Sequence, residues 1–478
     1  MVPSVWTQEV PRVRANLKAV DRAYLVATLA FVGVRGYRPS SCEAPAGRQE
    51  QASLGKPPLR VGYLTNRYGA ASYTFIMTEV EHLRNRGHTI RTYSVRHPGT
   101  GEAVSAQVRR EQQGTNYLLA PGRPLTSVAL IVWASVKALA RHPRRFATTL
   151  ALAWRSSPQG LRGRLRQLAY LVFACRLSEL LRADGIQHLH NHLGSASATI
   201  AMLASSLTGI PFSLTIHGGH IFYEPHYWAL GEKIRRSTFA ACVSDFCRSQ
   251  CMVFVTHETW PKLRVVRCSV DDRFLDAPLS PPAHGAGLVC VARLAEEKGH
   301  IVLLQAVKKV RVAGQDVRLV LVGDGPLRRT LDEGIRELEL EGIVEITGLV
   351  DAEEVRRRVM AARAFVLASL TEGLPVSIME ALALGRPVIA PNVGAIAELV
   401  RNGETGWLVS PGNSDLLAEA MMAALRAPDE VLAAMGRRGA ALVGERHRAA
   451  HEIPKLEDLL ASSAAAQQGP LSNPKQGC

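Results

Sequence analysis

Two cations stand where a loop follows an apolar strand in the second half of the chain. Arg293 and Lys298 lie in the segment ARLAEEKGH, directly after the apolar run GLVCV. Arginine can fork onto two phosphate oxygens, and lysine acts as a compact point charge, so the pair suits a diphosphate. An Arg/Lys pair in a loop is by itself ordinary surface charge. The prediction therefore depends on what a later segment adds.

That later segment, SLTEGLPVSIMEALALGRPVIAP, supplies two carboxylates. Glu372 falls at a strand-to-helix turn and Glu380 on the helix that follows, with Pro375 near the first helical turn. Proline suits a helix start, where free backbone N–H groups attract an anion. Eight helical residues span roughly 12 Å, which argues against a tight acid/base dyad. Glu380 alone would be an exposed helix acid, but a carboxylate there can accept hydrogen bonds from both hydroxyls of a ribose.

Parallel sheets are the elements that would bring such loops together. Short apolar strands such as LRVGYLT, FSLTIHGG and VRLVLVGDG alternate with segments of helical period, including Thr74 to His88 and Gly299 to Val312. A Pro/Gly/Ala-rich joint at 278–287 separates two such series. The alternation predicts an α/β fold with two doubly wound parallel sheets. In these folds, ligands bind beyond the carboxyl ends of the strands.

Length and cysteine usage restrict the class of protein. The 478 residues, 47% of them hydrophobic, fit two globular domains with tails. The eight cysteines include no CxxC pair and lack the density of a secreted disulfide scaffold, which favours a reducing cytosol. Cys242, Cys247 and Cys251 are interpreted as helix packing.

The positive charge is concentrated in one segment. The formal net charge is +15, and residues 121–182 contain eleven Arg and Lys against one acid, Glu179. No run reaches the roughly 20 apolar residues of a membrane span, because Lys137 and Arg141 interrupt the best candidate. Basic amphipathic helices with interleaved aromatic residues favour an anionic membrane surface. A solvated basic face and a nucleic-acid surface are the alternatives.

Three histidines alternate along one predicted strand. His188, His190 and His192 share a face because side chains alternate across a strand. Zinc binding is one interpretation. A polar strand end beside a cleft is the other, and we favour it because no Cys or acid follows at metal-ligand spacing.

From about Leu59 to Arg446 the chain resembles the GT-B retaining glycosyltransferases of family 4. The resemblance is to the branch that builds bacterial exopolysaccharides such as colanic acid. Its E-x7-E element reads Glu372 to Glu380, and its phosphate pair R-x4-K reads Arg293 to Lys298. In the first half, H-x-H followed by P-F-S-x-T-x-H-G matches the same branch. The matching positions are His190, His192, Pro211, Phe212, Thr215, His217 and Gly218.

The resemblance implies a role for each matched residue. Glu380 would hold the ribose, and Arg293 and Lys298 the diphosphate. Glu372 would hold the donor sugar together with the backbone of Gly373, Leu374, Pro375 and Val376. The loop at Gly348 and Leu349 would contact the base, and His217 would face the donor sugar from the opposite domain. His217 and Glu372 are thus the candidate catalytic residues, and neither a metal nor another cofactor is expected, since no DxD motif lies beside a strand.

Two positions depart from that branch. The branch often has an aspartate two or three residues after the histidine at position 217, where this chain has Gly219 and His220. The branch also often has a glutamate where this chain has Tyr73. An acid that could meet the acceptor is therefore missing at that position.

The predicted architecture is GT-B, with two Rossmann-like doubly wound parallel-sheet domains facing a cleft. Its divisions are an extension (1–56), an acceptor domain (57–277), a linker (278–287), a nucleotide-sugar-binding domain (288–445), a helix returning to the first domain (446–461) and a disordered tail (462–478).

The predicted function is hexose transfer from a UDP- or GDP-sugar to a lipid-linked or polysaccharide acceptor, with retention of configuration. The predicted location is the cytoplasmic face of the cell membrane, as a peripheral protein that binds anionic lipid and no nucleic acid. The alternatives are a non-catalytic nucleotide- or carbohydrate-binding protein on the same fold, and a GT-B epimerase or glycogen-type synthase.

Overall fold

Two parallel sheets organise the part of the chain that the structure describes. A computed structural model describes residues 57–466, except 71–72, 103–104, 121, 123, 282–284 and 286. The predicted extension over 1–56, the middle of the predicted linker and the predicted tail beyond 466 lie outside these residues.

The first sheet has seven described strands. They are β1 (Arg60–Thr65), β2 (Thr89–Ser94), β3 (Asn116–Tyr117), β4 (His188–His192), β5 (Phe212–Ile216), β6 (Ala240–Cys242) and β7 (Leu263–Val265). Their spatial order is β3-β2-β1-β4-β5-β6-β7, and each neighbouring pair is parallel.

The second sheet has six described strands. They are β8 (Leu288–Val291), β9 (Leu319–Val322), β10 (Val344–Ile346), β11 (Ala364–Val366), β12 (Val388–Pro391) and β13 (Gly406–Val409). Their order is β10-β9-β8-β11-β12-β13, again with every neighbouring pair parallel. The prediction of two doubly wound parallel sheets is confirmed.

Helices connect the strands. In the first half they are α1 (Thr74–Asn85), α2 (Ala106–Gln113), α3 (Pro124–Arg141), α4 (Pro143–Arg155), α5 (Leu161–Ala183), α6 (Ala196–Thr208), α7 (Leu230–Arg236), α8 (Asp245–Val253) and α9 (Asp272–Leu275). In the second half they are α10 (His300–Val312), α11 (Arg328–Glu337), α12 (Ala352–Ala361), α13 (Val376–Ala383), α14 (Ser414–Arg426), α15 (Asp429–Arg446) and α16 (Ala449–Ala465).

Each sheet has one point where the strand order reverses. In the first sheet this point lies between β1 and β4, and in the second between β8 and β11. The connections that leave neighbouring strands there run in opposite directions, which opens a crevice at the carboxyl ends. Arg293 and Lys298 follow β8 and Glu372 follows β11, whereas His217 follows β5 and Gly348 follows β10.

Helix α16 packs back against the first sheet's helix α1. Ile453, Leu456 and Leu460 of α16 share an apolar cluster with Ile76 and Val80 of α1. The predicted disordered tail (462–478) starts inside α16, because this helix continues to Ala465. Its last turn is held by burial of the small side chains of Ser463 and Ala464, which a local sequence pattern does not reveal.

Helices α3, α4 and α5 leave large apolar side chains exposed. The exposed residues are Val128, Leu130, Val132, Trp133, Val136 and Leu139 on α3, Leu150 and Trp154 on α4, and Leu161 and Leu165 on α5. An apolar groove of about 400 Å³ lies between α3 and α5, with Val132, Val136 and Phe173 in its walls. Among the described helices, none combines the length and the apolar character needed to cross a bilayer.

Candidate active site

Lys298 and Glu372 meet at the reversal point of the second sheet. The loop after β8 carries Lys298, and the loop after the neighbouring strand β11 carries Glu372. Lys298 Nζ lies 2.6 Å from Glu372 Oε1, and Ser369 Oγ donates to the same oxygen over 2.7 Å. The Glu372 side chain is only 7% exposed, so its charge is balanced almost entirely by these two donors.

Arg293 does not join this pair. Its guanidinium lies 2.6 Å from Glu297 Oε1, four residues along the chain, and its side chain is 59% exposed. The structure therefore places both predicted phosphate-binding cations in one loop, each held by its own carboxylate. An exposed ion pair of this kind contributes little to stability, so an anionic ligand can displace Glu297 from Arg293 at small cost.

The two halves of the protein touch directly at Gly373. A β-bridge joins Gly373, next to Glu372, to Gly218, next to His217 in the first half. A Cβ built on Gly373 would lie 1.6 Å from the His217 carbonyl oxygen, so no other residue fits there in this arrangement. Pro375 then precedes α13, which has no side-chain cap at its N-terminus. The Ile378 amide donates to the Pro375 carbonyl, which leaves the Val376 and Ser377 amides at the start of α13 available to a ligand.

Glu380 lines a cavity of about 260 Å³ between the two halves. Its walls include Phe75, Thr78, Ser269, Asp271, Arg273, Val291, Val350, Val376 and Glu380. Burial, followed by the nearby Asp271, raises the pKa of the Glu380 carboxyl to about 8. Within the described residues this carboxyl has no hydrogen-bonding partner, which leaves both of its oxygens open to a ligand.

The loop after β10 reaches the same cavity. The Gly348 carbonyl accepts a hydrogen bond from the Gly323 amide over 3.1 Å, which holds the loop against the end of β9. Leu349 is 45% exposed, and the next residue, Val350, is a wall of the cavity. Of the other predicted donor contacts, Leu374 is buried and Val376 also lines the cavity.

A chain of hydrogen-bonded side chains in the first half of the protein holds His217. Its Nε2 lies 3.1 Å from His192 Nδ1, and His192 Nε2 lies 3.0 Å from Glu79 Oε1. The Tyr63 hydroxyl donates to the same Glu79 oxygen over 2.7 Å. Burial, followed by His192, lowers the pKa of His217 well below its usual range, so its ring is neutral at pH 7. Phe75 lies against the His217 ring, with 4.8 Å between ring centroids.

The strand histidines form a hydrogen-bonded network. His190 Nδ1 and Nε2 lie 2.7 and 2.9 Å from the Ser213 and Thr215 hydroxyls. His188 Nε2 lies 2.7 Å from the same Ser213 oxygen, and its Nδ1 lies 3.0 Å from Ser463 Oγ on α16. Both ring nitrogens of His188, His190 and His192 thus have partners, which supports the interpretation as a polar strand end. Ligand atoms of Glu79, His190 and His192 do lie within 4.8 Å of one another, but a metal would have to displace these bonds.

The three cysteines interpreted as helix packing lie close together in the core. Cys242, Cys247 and Cys251 are buried and free, with sulfur atoms within 4.8 Å of one another. Cys247 Sγ lies 3.1 Å from the Ile216 carbonyl oxygen at the end of β5. The three side chains join β6 to α8 in the core.

Sequence reasoning missed Glu79, Tyr63 and Ser369. A signal for Glu79 was present, because it stands three residues after Ile76 and four before Leu83, on the buried face of α1. An acid on an apolar helix face needs a partner. Its partner, His192, is distant in sequence and becomes its neighbour only when α1 packs beside β4.

Comparisons with known proteins show which families the chain resembles. Residues 275–441 match the family model described as "Glycosyl transferases group 1". The putative colanic acid biosynthesis glycosyltransferase WcaL of Escherichia coli is 31% identical over 264 residues, covering 52% of this chain and 63% of that protein. The Salmonella typhimurium protein of the same name is 26% identical and covers 75% and 89%. The similarity is thus to glycosyltransferases, and the chain spans less than two thirds of the length of the Escherichia coli relative.

Solved structures share the fold of this chain. HepE of Anabaena, solved in complex with UDP-glucose, has a TM-score of 0.63 at 16% identity, covering 84% of this chain and all of that one. Sucrose-phosphate synthase of Thermosynechococcus elongatus has a TM-score of 0.65 at 17% identity, covering 85% of this chain and all of that one. The predicted GT-B architecture is confirmed.

Proposed function

We propose that this protein transfers a hexose from a UDP- or GDP-sugar to a lipid-linked or polysaccharide acceptor, with retention of configuration, in the synthesis of a cell-surface glycan. The observation that carries the proposal is the meeting of Lys298 and Glu372 beside the Gly218–Gly373 contact, with His217 next to it. The names of the WcaL relatives and the UDP-glucose complex of HepE support the reaction class.

The leaving group of such a reaction is a nucleoside diphosphate, which gains negative charge as the glycosidic bond breaks. Lys298 and Arg293 would stabilise that charge, each exchanging its carboxylate partner for phosphate oxygens. Glu372, released from Lys298, would then accept hydrogen bonds from the donor sugar. The amides at the start of α13 would add to this site, so the proposal requires no divalent ion.

The nucleoside would occupy the cavity that Glu380 lines. The Glu380 carboxyl, which its raised pKa keeps mainly protonated at pH 7 before the donor binds, would donate to one ribose hydroxyl and accept from the other, and as a carboxylate it would accept from both. The loop at Gly348 and Leu349 would contact the base. Closure of the two halves at Gly373 would exclude water from the sugar, and opening would release the product.

We further propose that helices α3 to α5 hold the protein on the cytoplasmic face of an anionic membrane. Eleven Arg and Lys stand against one acid in residues 121–182, and exposed Trp133 and Trp154 lie among them. Cations near anionic headgroups contribute about 1 kcal/mol each. The apolar groove between α3 and α5 suits a lipid chain, and this placement would bring the enzyme to a lipid-linked acceptor.

The experiment that tests the reaction is a panel of UDP- and GDP-sugars, scored by thermal stabilisation and by slow release of free nucleoside diphosphate. We expect one donor to raise Tm and to be hydrolysed, and Glu380→Ala to lose both responses. The matched control is Glu419→Ala, which removes an exposed acid from α14. No response to any donor would overturn the proposal.

The non-catalytic binding protein is the second candidate, and the site geometry disfavours it because Arg293, Lys298, Glu372 and Glu380 all stand in the cleft region. A donor that raises Tm without any hydrolysis or transfer would favour it. Interconversion of the sugar without release of nucleoside diphosphate would favour the epimerase, and processive extension of a glucan would favour the glycogen-type synthase.

A further inference from the structure

A continuous chain of side chains joins a partly buried carboxylate to the candidate catalytic histidine. Glu79 lies on α1, His192 at the end of β4, and His217 directly after β5. Two contacts make the chain: Glu79 Oε1 to His192 Nε2 over 3.0 Å, and His192 Nδ1 to His217 Nε2 over 3.1 Å. The His192 side chain is 1% exposed, so no water replaces these partners.

Two hydrogen bonds constrain the protons in this chain. Glu79 Oε1 accepts from the Tyr63 hydroxyl, and His192 Nε2, which faces the same oxygen, is a donor to it. One proton lies between His192 Nδ1 and His217 Nε2. Assigned to His217 Nε2, it leaves the neutral His217 ring with an unprotonated Nδ1.

The surroundings of His217 Nδ1 agree with this assignment. Cys268 Sγ lies 3.7 Å from that nitrogen, where a thiol can act as a weak donor to its lone pair. Burial raises the pKa of the Cys268 thiol, which keeps its proton on sulfur. Ser269, next along the chain, and Phe75, which packs on the His217 ring, both line the cavity between the two halves.

We infer that Glu79 and His192 are positioning residues that hold His217 in one tautomer, with the proton on Nε2 and Nδ1 presented as a hydrogen-bond acceptor. On the proposed function, on which this last step rests, that nitrogen exchanges its weak contact with the Cys268 thiol for a hydrogen bond from a hydroxyl of the transferred sugar.

The tautomer can be measured without any substrate. The full chain is labelled with ¹⁵N-histidine, and long-range ¹H–¹⁵N correlation spectra distinguish protonated from unprotonated ring nitrogens. The His217 and His192 signals are assigned with His217→Gln and His192→Gln. We expect the proton on Nε2 in both rings of the wild-type protein at pH 7. A proton on His217 Nδ1, or rapid exchange between the tautomers, would overturn the inference.

Variants of Glu79 separate its charge from its hydrogen bond. In Glu79→Gln the amide oxygen can still accept from His192, so the His217 tautomer should be retained. Glu79→Leu should give a mixture of tautomers, and an unchanged His217 spectrum in this variant would contradict the inference. The control is Tyr63→Phe, which removes the other donor to Glu79 and should leave the tautomer unchanged. Should Glu79→Leu fail to fold, the wild-type spectrum still decides.

Turnover provides a separate readout. A histidine in the wrong tautomer loses most of its catalytic effect, so Glu79→Leu should lower kcat by about 100-fold while KM for the donor changes little. Glu79→Gln should retain most of kcat. If the wild-type protein turns over no donor, the proposed reaction fails, and the spectra still test the tautomer.

Discussion

Glu372 and Glu380 belong to one sequence motif but meet different surroundings in the folded protein. Lys298 and Ser369 hold Glu372 within hydrogen-bonding distance, whereas Glu380 faces a cavity without such a partner in the described structure. The eight-residue spacing indicated only that the two carboxylates address different parts of a ligand, and the family resemblance supplied their expected roles. Neither indicated the ion pair, because Lys298 reaches Glu372 only through the pairing of β8 with β11.

The unpaired state of Glu380 predicts a pH dependence of stability. A carboxyl with a pKa of about 8 when folded and an ordinary value of 4.5 binds its proton more tightly in the folded state. The contribution of this carboxyl to folding stability is therefore lost as the pH rises from the ordinary pKa of 4.5 to the folded-state pKa of about 8. We expect Tm to fall less from pH 5.5 to pH 8.5 in Glu380→Gln than in the wild-type protein. Glu419→Gln is the control. An identical dependence of Tm on pH in Glu380→Gln and in the wild-type protein would show that the pKa of the Glu380 carboxyl is not raised.

The secondary-structure elements followed largely from apolar periodicity. Continuous apolar runs became buried parallel strands, and segments of helical period became α1, α10 and α13. The C-terminal end of α16 was not predicted, because Ser463 and Ala464 are buried by tertiary contact and their residue types give no apolar periodicity. The close approach of Gly218 and Gly373 also lay beyond sequence reasoning, since it depends on how two separate loops face each other.

The glycine contact predicts a specific loss of activity. Gly373→Ala would place a methyl group 1.6 Å from the His217 carbonyl oxygen, so the two loops must separate. We expect turnover to fall about 100-fold, because a displacement of about 1 Å at a reacting centre has an effect of that size. Turnover of donor and Tm are measured in parallel. Gly444→Ala in α15, where an added Cβ has open space, is the control. Wild-type turnover in Gly373→Ala would show that this contact is not part of the working enzyme.

At the scale of the whole molecule, charge and apolar exposure are found together on α3 to α5. Local composition predicted a basic amphipathic segment over 121–182, and the structure forms three helices there. Which apolar residues remain exposed was not predictable, because their partners in the core come from distant helices such as α6. The exposed set includes Trp133 and Trp154, each with a cation over its ring, Lys137 at 4.2 Å and Arg164 at 4.3 Å.

This surface predicts binding to anionic vesicles that weakens as salt increases. Replacing Arg144 and Arg155, both exposed, with glutamate should reduce the affinity for such vesicles by about tenfold or more. Co-sedimentation at low salt measures the effect. The control is Arg437→Glu with Arg438→Glu, two exposed residues of α15 in the other half. Equal losses in both double variants would indicate a general charge effect and contradict a specific surface.

The most direct measurement of the central claim compares two lysines. Lys298 and Lys308 both form ion pairs with a glutamate, with Nζ to Oε distances of 2.6 and 2.7 Å, but only Lys298 stands at the reversal point of the second sheet. With the donor identified from the panel, release of nucleoside diphosphate is measured for Lys298→Ala and Lys308→Ala. We expect kcat/KM to fall about 100-fold or more in Lys298→Ala and to stay at the wild-type value in Lys308→Ala. Wild-type kcat/KM in Lys298→Ala would contradict the assignment of the donor diphosphate to this site.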